Sequence, residues 1–62
     1  MTTNDIVTRI TNNKRDLSDA IVELALAVIA ESDPQKVHKL NIVIGRLVAA
    51  ESLLCECLEG LS

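Results

Sequence analysis

The chain has 62 residues, enough for one domain, and a domain this short buries only a modest fraction of its surface unless something else covers it. Its hydrophobic content is 48% without a Phe, Tyr or Trp, so any core is made of Leu, Ile, Val and Ala and lacks the large areas that aromatic rings bury. Six basic against nine acidic residues give a net charge of -3, which disfavours nucleic acid as the main partner, because neutralising phosphates takes a basic surface.

The amino-terminal stretch from Met1 to Lys14 lacks the charged start, unbroken apolar run and small-residue cleavage site of a signal peptide, and no stretch reaches the roughly 18 apolar residues of a membrane span. A cytoplasmic protein without membrane contact is the expectation. A first helix is predicted over about residues 4–31, because Ile6, Ile10, Leu17, Ile21, Leu24 and Val28 recur at threes, fours and sevens, which no strand does. Within it, Thr11-Asn12-Asn13 is poor helix-forming material and Asp16-Leu17-Ser18-Asp19 is able to cap a new start. A break near residues 12–16 is therefore the alternative to one continuous helix.

A turn is predicted at about 32–34, where Glu31-Ser32-Asp33-Pro34-Gln35 is a stop and a start together. Either Asp33 is the N-cap with Pro34 at the first helical position, or Ser32 caps with Gln35 completing a capping box. The second helix is predicted over about 34–59, with Gly60 as its terminator and Leu40, Val43, Leu47, Ala50, Leu54, Leu58 and Leu61 on one face. Two helices with a stripe each and a short link between them predict an all-α fold, an antiparallel two-helix hairpin of coiled-coil kind, assembling into a bundle or onto a helical partner. Charge placement agrees. Lys36 and Lys39 at the start of the second helix, and Glu56 and Glu59 near its end, oppose its dipole. An antiparallel neighbour offsets this by bringing Glu31 beside Lys36, and Arg9, Lys14 and Arg15 beside Glu51, Glu56 and Glu59.

The helices carry more apolar surface than one seam uses. Val22, Ala25, Leu26 and Ile29 widen the arc of the first helix to roughly 200°, and Ile42, Ala49 and Leu53 form a separate stripe on the second, nearly opposite its seam. Isolated surface Leu or Ile residues are ordinary, but residues aligned at helical spacing make a patch and point to a second layer of packing. Gly45, which costs the helix about 1 kcal/mol relative to Ala, fits the close approach of another backbone as well as it fits a tolerated glycine without a role.

Chemistry is harder to assemble. His38 stands near Lys39 on the polar side with no carboxylate at a favourable spacing, and reads as solvated. Cys55 and Cys57, two apart in a helix, point in different directions, and are read as reduced thiols, buried or half-buried; without further Cys or His they build no four-ligand zinc site in one chain. No catalytic, cofactor-binding or metal-binding residue is assigned. Glu51, the sole acid near the main stripe of the second helix, reads as a flank residue paired with Lys14.

In its Met-Thr-Thr start, its Leu-, Ile- and Ala-rich first helix, the Asp33-Pro34-Gln35 turn, and Ile42-Val43-Ile44 followed by Leu47, Ala50-Glu51 and Leu53-Leu54, the chain resembles the small needle-subunit co-chaperones of bacterial type III secretion systems, the YscE/PscE/EscE-like family. The likeness spans nearly the whole chain as length and order of elements. It departs from the family at Val37, where an aromatic residue is common, and at Cys55 and Cys57, where larger apolar residues are expected. The resemblance implies a cytoplasmic bacterial hairpin that stabilises a larger helical-repeat chaperone and, with it, keeps the secretion needle subunit unpolymerised, a role in virulence without enzymatic activity. The docking residues would then be Val22, Leu26, Ile29, Ile42, Ala49 and Leu53. The competing expectation is a homo-oligomer, either a dimeric four-helix bundle of the plasmid RNA-regulator type or a small phage-type protein that sequesters a nucleotide signal. For RNA, Arg9, Lys14 and Arg15 sit among acids and no aromatic is present to stack on a base.

Overall fold

A computed structural model describes residues 2–61. It consists of two helices of 28 residues each, α1 (Thr3–Ala30) and α2 (Pro34–Leu61), packed against each other and joined through Glu31 to Asp33. The chain is an all-α helical hairpin. α1 opens with a capping box: the Thr2 hydroxyl accepts from the Asp5 N–H at 3.2 Å, and the Asp5 carboxylate accepts from the Thr2 N–H at 3.2 Å. It then runs without interruption, so the break expected near residues 12–16 does not occur. The polar side chains of that stretch bond within the helix. Thr11 Oγ1 donates to the Val7 carbonyl oxygen at 2.8 Å, and Arg15 Nη2 donates to Asn12 Oδ1 at 3.2 Å. Weak local propensity is overridden because Ile10, Lys14 and Leu17 hold this stretch against α2, each half-buried.

The loop is built from its own acids. The Glu31 carboxylate accepts from the N–H groups of Ser32 and Asp33 at 3.1 and 3.0 Å. Asp33 Oδ1 accepts from the Gln35 N–H at 2.9 Å, so Asp33 is the N-cap of α2 and Pro34 takes the first helical position, where its missing N–H costs nothing. Of the two starts open to the sequence, this is the one adopted. Gly60 does not terminate α2. The helix continues to Leu61, and no glycine among the described residues has a positive φ, the backbone state that makes glycine a stop.

The seam follows a period of 3.5 residues, which shifts part of the expected inner face. On α1 the half-buried residues include Val7, Ile10, Lys14, Leu17, Ile21, Leu24 and Val28, continued by Glu31 at its C-cap, and on α2 Val37, Leu40, Ile44, Leu47, Glu51, Leu54 and Leu58. These are strict alternations of three and four, the a and d positions of consecutive heptads, and that repeat keeps one seam facing the partner by a gentle left-handed supercoil. Val7 therefore takes the inner place expected of Ile6, and Ile44 that expected of Val43, which is exposed. Leu61, placed on the inner face by spacing, is exposed as well.

Two layers of helix make a long, thin body of 47 × 15 × 14 Å. Its radius of gyration is 14.5 Å, against about 10.6 Å for a compact domain of this length. Its accessible surface is 4686 Å², where a compact monomer of 6.7 kDa exposes about 3,900 Å². Among the described residues none is fully buried.

Candidate protein-docking faces

The seam leucines and isoleucines touch the opposite helix on one side only, and this leaves large apolar side chains in solvent around the rest of each helix. Val22, Leu26 and Ile29 on α1, and Ile42 and Leu53 on α2, are exposed, with Ile29 81% and Leu26 and Leu53 each 61% accessible. Ala25 and Ala49 are exposed beside them. On α1 the exposed set recurs at 22, 25, 26 and 29, one face of a helix, and no charged residue occurs between Glu23 and Glu31 to interrupt it. On α2, Ile42, Ala49 and Leu53 share the side away from the seam. In heptad terms these residues occupy b, c, e and f positions, the ones a two-stranded coiled coil ordinarily gives to polar residues. All six residues singled out for docking, Val22, Leu26, Ile29, Ile42, Ala49 and Leu53, are therefore exposed, three on each helix. Val48 and Val43 are two further exposed valines that the spacing argument did not assign to a docking stripe. Their signal is the heptad itself, which puts them at e and g, immediately beside the seam.

Polar groups concentrate in the amino-terminal half of α1, which the antiparallel fold brings beside the carboxyl-terminal half of α2. There the Ser18 hydroxyl donates to the Glu51 carboxylate across the seam, both residues being half-buried. Glu51 is thus held by Ser18 instead of by Lys14 as expected. Lys14 occupies an a position one turn away, with its stem half-buried along the seam. Glu31 bonds the loop N–H groups and Arg15 bonds Asn12, so the partners seen for these charges are local ones and not the cross-helix pairs expected with Lys36 and with the acids of α2. The Ser18–Glu51 bond fixes the register. Carried along the heptads, it places Val28 near Leu40, Leu24 near Ile44, Ile21 near Leu47 and Ile10 near Leu58.

Other candidate chemistry is dispersed. His38 is exposed and lines a shallow surface depression with Pro34, Gln35 and Lys39 at the loop end. Both cysteines are free thiols. Cys55 is half-buried, whereas Cys57, expected to be at least half-buried, is exposed because its g position turns it off the seam. Gly45 lies in mid-helix with nothing within 4 Å of where a Cβ would stand, so no part of the hairpin itself requires a glycine there. Among the described residues no three His, Cys, Asp or Glu side chains gather as metal ligands, and no helix is long and apolar enough to cross a membrane. No family model, curated protein or solved structure matches the chain.

Proposed function

We propose that the hairpin is a protein-binding subunit that completes its own stability, and that of a larger helical protein, by docking its outer apolar stripes. One observation carries the reading: among the described residues none is fully buried, while Val22, Leu26, Ile29 and Leu53 are more than half exposed. A hairpin that gains little from its own seam has the most to gain from a second layer of helix. Within this class the co-chaperone role suggested by the resemblance is the most specific proposal: a cytoplasmic subunit that, by the helix-in-groove mode, caps a helical-repeat chaperone and so helps to hold a type III secretion needle subunit unpolymerised. Exposed Val22, Leu26 and Ile29 at i, i+4 and i+7, with Ala25 between them, are what that mode reads, and the work is binding, with no catalytic step.

The test is co-expression with a candidate helical-repeat chaperone, followed by size-exclusion chromatography and thermal melting of the chain alone and of the mixture. A ligand present at about 100 times its Kd stabilises what it binds by about 2.7 kcal/mol, a shift that melting resolves easily. Co-elution with a raised melting temperature is expected, and loss of both with Leu26→Asp or Ile29→Asp. A chain that melts at the same temperature with and without such partners defeats the proposal.

A further inference from the structure

One side of the hairpin differs from the docking stripe of α1 in both shape and charge. In an antiparallel pair of heptad helices the g positions of both flank the same side of the seam. At the middle of the hairpin they are Ala20 and Ala27 on α1 and Val43 and Ala50 on α2, with Ile6, Asn13, Lys36 and Cys57 toward the ends; Ala20 and Ala50 are half-buried, while Ala27 and Val43 are exposed. Such short side chains leave the seam leucines open on this side. Outside them run the c positions, Arg9, Asp16, Glu23 and Ala30 on α1 and Lys39, Arg46, Leu53 and Gly60 on α2, all exposed; from the loop to mid-hairpin the charged ones are acids on α1 and bases on α2, and Arg9 ends that pattern at the open end. The register set by Ser18 and Glu51 places Glu23 and Arg46 at nearly the same height along the hairpin, on opposite rims.

We propose that this alanine-lined face pairs with the same face of a second copy, about a two-fold axis parallel to the helices, giving an antiparallel four-helix bundle. That axis sets each α1 on the partner's α2 at equal height, so Glu23 of one copy meets Arg46 of the other, twice per dimer. The other face-to-face two-fold, perpendicular to the helices, would stack α1 on α1 and α2 on α2 and so would part Glu23 from Arg46. The Glu23–Arg46 match, made twice between two copies of this chain, is the charge argument for a second copy as the occupant. Area permits it. A long side of 47 by 15 Å offers roughly 700 Å², close to the ~800 Å² that each partner contributes to an interface of standard size. Alanine and valine at the centre allow close approach of the helix backbones, so that the half-buried seam side chains of both hairpins share one interior. This pairing leaves Val22, Leu26 and Ile29 on α1 and Ile42 and Ala49 on α2 facing outward and available to a larger partner, while Leu53, at a c position, comes to the rim of the dimer.

The test is sedimentation equilibrium of the full chain, with helicity checked by circular dichroism. The wild type is expected to be a reversible dimer. Glu23→Arg and Arg46→Glu, each placing two like-charge contacts in the dimer, are expected to weaken it by about tenfold, and the double reversal to restore it to within about threefold. Both residues are exposed and the substitutes are good helix formers, so the hairpin should survive the changes. Ala27→Lys is expected to give a helical monomer. A wild-type chain that is monomeric at every concentration overturns the proposal, as does a double reversal no tighter than the single ones, or an Ala27→Lys dimer of unchanged affinity.

Discussion

Replacing Leu26 and Ile29 together by Gln separates the outer stripe from the seam, and the structure sets the size of the effect. Full burial of a Leu or Ile side chain is worth ~1.5–3 kcal/mol. With 61% of Leu26 and 81% of Ile29 already in solvent, the hairpin draws only roughly 0.6–1.2 and 0.3–0.6 kcal/mol from them. Gln is about as good a helix former as Leu and slightly better than Ile, so the net loss should stay near or below 1.5 kcal/mol. By contrast, Leu24→Ala with Leu47→Ala removes two half-buried seam residues that face the opposite helix. At about half the ~2–5 kcal/mol of a fully buried site, that pair should lose 2–5 kcal/mol. Thermal melts followed by circular dichroism at one chain concentration rank the two variants directly. The outer variant should keep the helicity of the wild type and melt within several degrees of it, while the seam variant melts far lower or is unfolded. Against a bound partner the order reverses: two lost anchors should lower affinity by 30-fold or more. If the outer variant unfolds as readily as the seam variant, Leu26 and Ile29 belong to the hairpin's own interior and the division into seam and docking stripe fails.

Gly45→Ala should stabilise the free chain by about 1 kcal/mol, several degrees in melting temperature, because the added methyl meets nothing in the hairpin; a lower melting temperature would show that the position is occupied in the species measured. Asp33→Ala removes the N-cap of α2 and should cost about 1 kcal/mol by the same assay, whereas Ser32→Ala should stay within about 0.5 kcal/mol of wild type. Under native conditions a thiol reagent should modify Cys57 before Cys55, a sequence that peptide mapping by mass spectrometry reads out; equal rates would mean that the half-burial of Cys55 gives no protection. Glu51→Leu should raise the melting temperature, by roughly 4–8 °C per kcal/mol gained, since it extends the apolar seam at a half-buried a position, and a lowered melting temperature would assign the Ser18–Glu51 bond a larger share of stability than its half-exposed setting suggests.

The hairpin was legible because its signals are local. Asp33-Pro34 marks a helix start by cap chemistry, and apolar residues at threes and fours leave no other element for the two flanking segments. The continuity of α1 was not, because Thr11, Asn12 and Asn13 are weak helix formers on their own and only tertiary contact through Ile10, Lys14 and Leu17 tips the balance. The exact seam was not, for a related reason: at 100° per residue Ile6 and Val43 fall on the inner face, and it takes the slight unwinding imposed by a partner helix to bring Val7 and Ile44 there instead. Thr2 and Asp5 stand at capping-box spacing, a signal present in the sequence and sufficient to place the start of α1. The outer stripes were legible as stripes, since exposed positions on a helix follow from spacing once its inner face is known; what covers them depends on molecules outside the chain.

The polar residues of the seam explain how so thin a structure keeps one fold. Two heptad helices of Leu, Ile and Val have alternatives, above all opening the hairpin and pairing like helices of two chains in parallel. Parallel α1 helices would face Lys14 with Lys14 at an a position, and parallel α2 helices Glu51 with Glu51, like charges held close in a half-dry seam. In the hairpin, Glu51 instead receives the Ser18 hydroxyl and Glu31 turns away to bind the loop N–H groups, so each acid at a seam position finds a donor. Neutral heptads would make a stronger seam and a less selective one. Selectivity gained in this way leaves stability low, and that is the physical link between the seam and the exposed stripes: a hairpin that spends three heptad positions on charge gains its remaining stability by covering its outer faces with other helices.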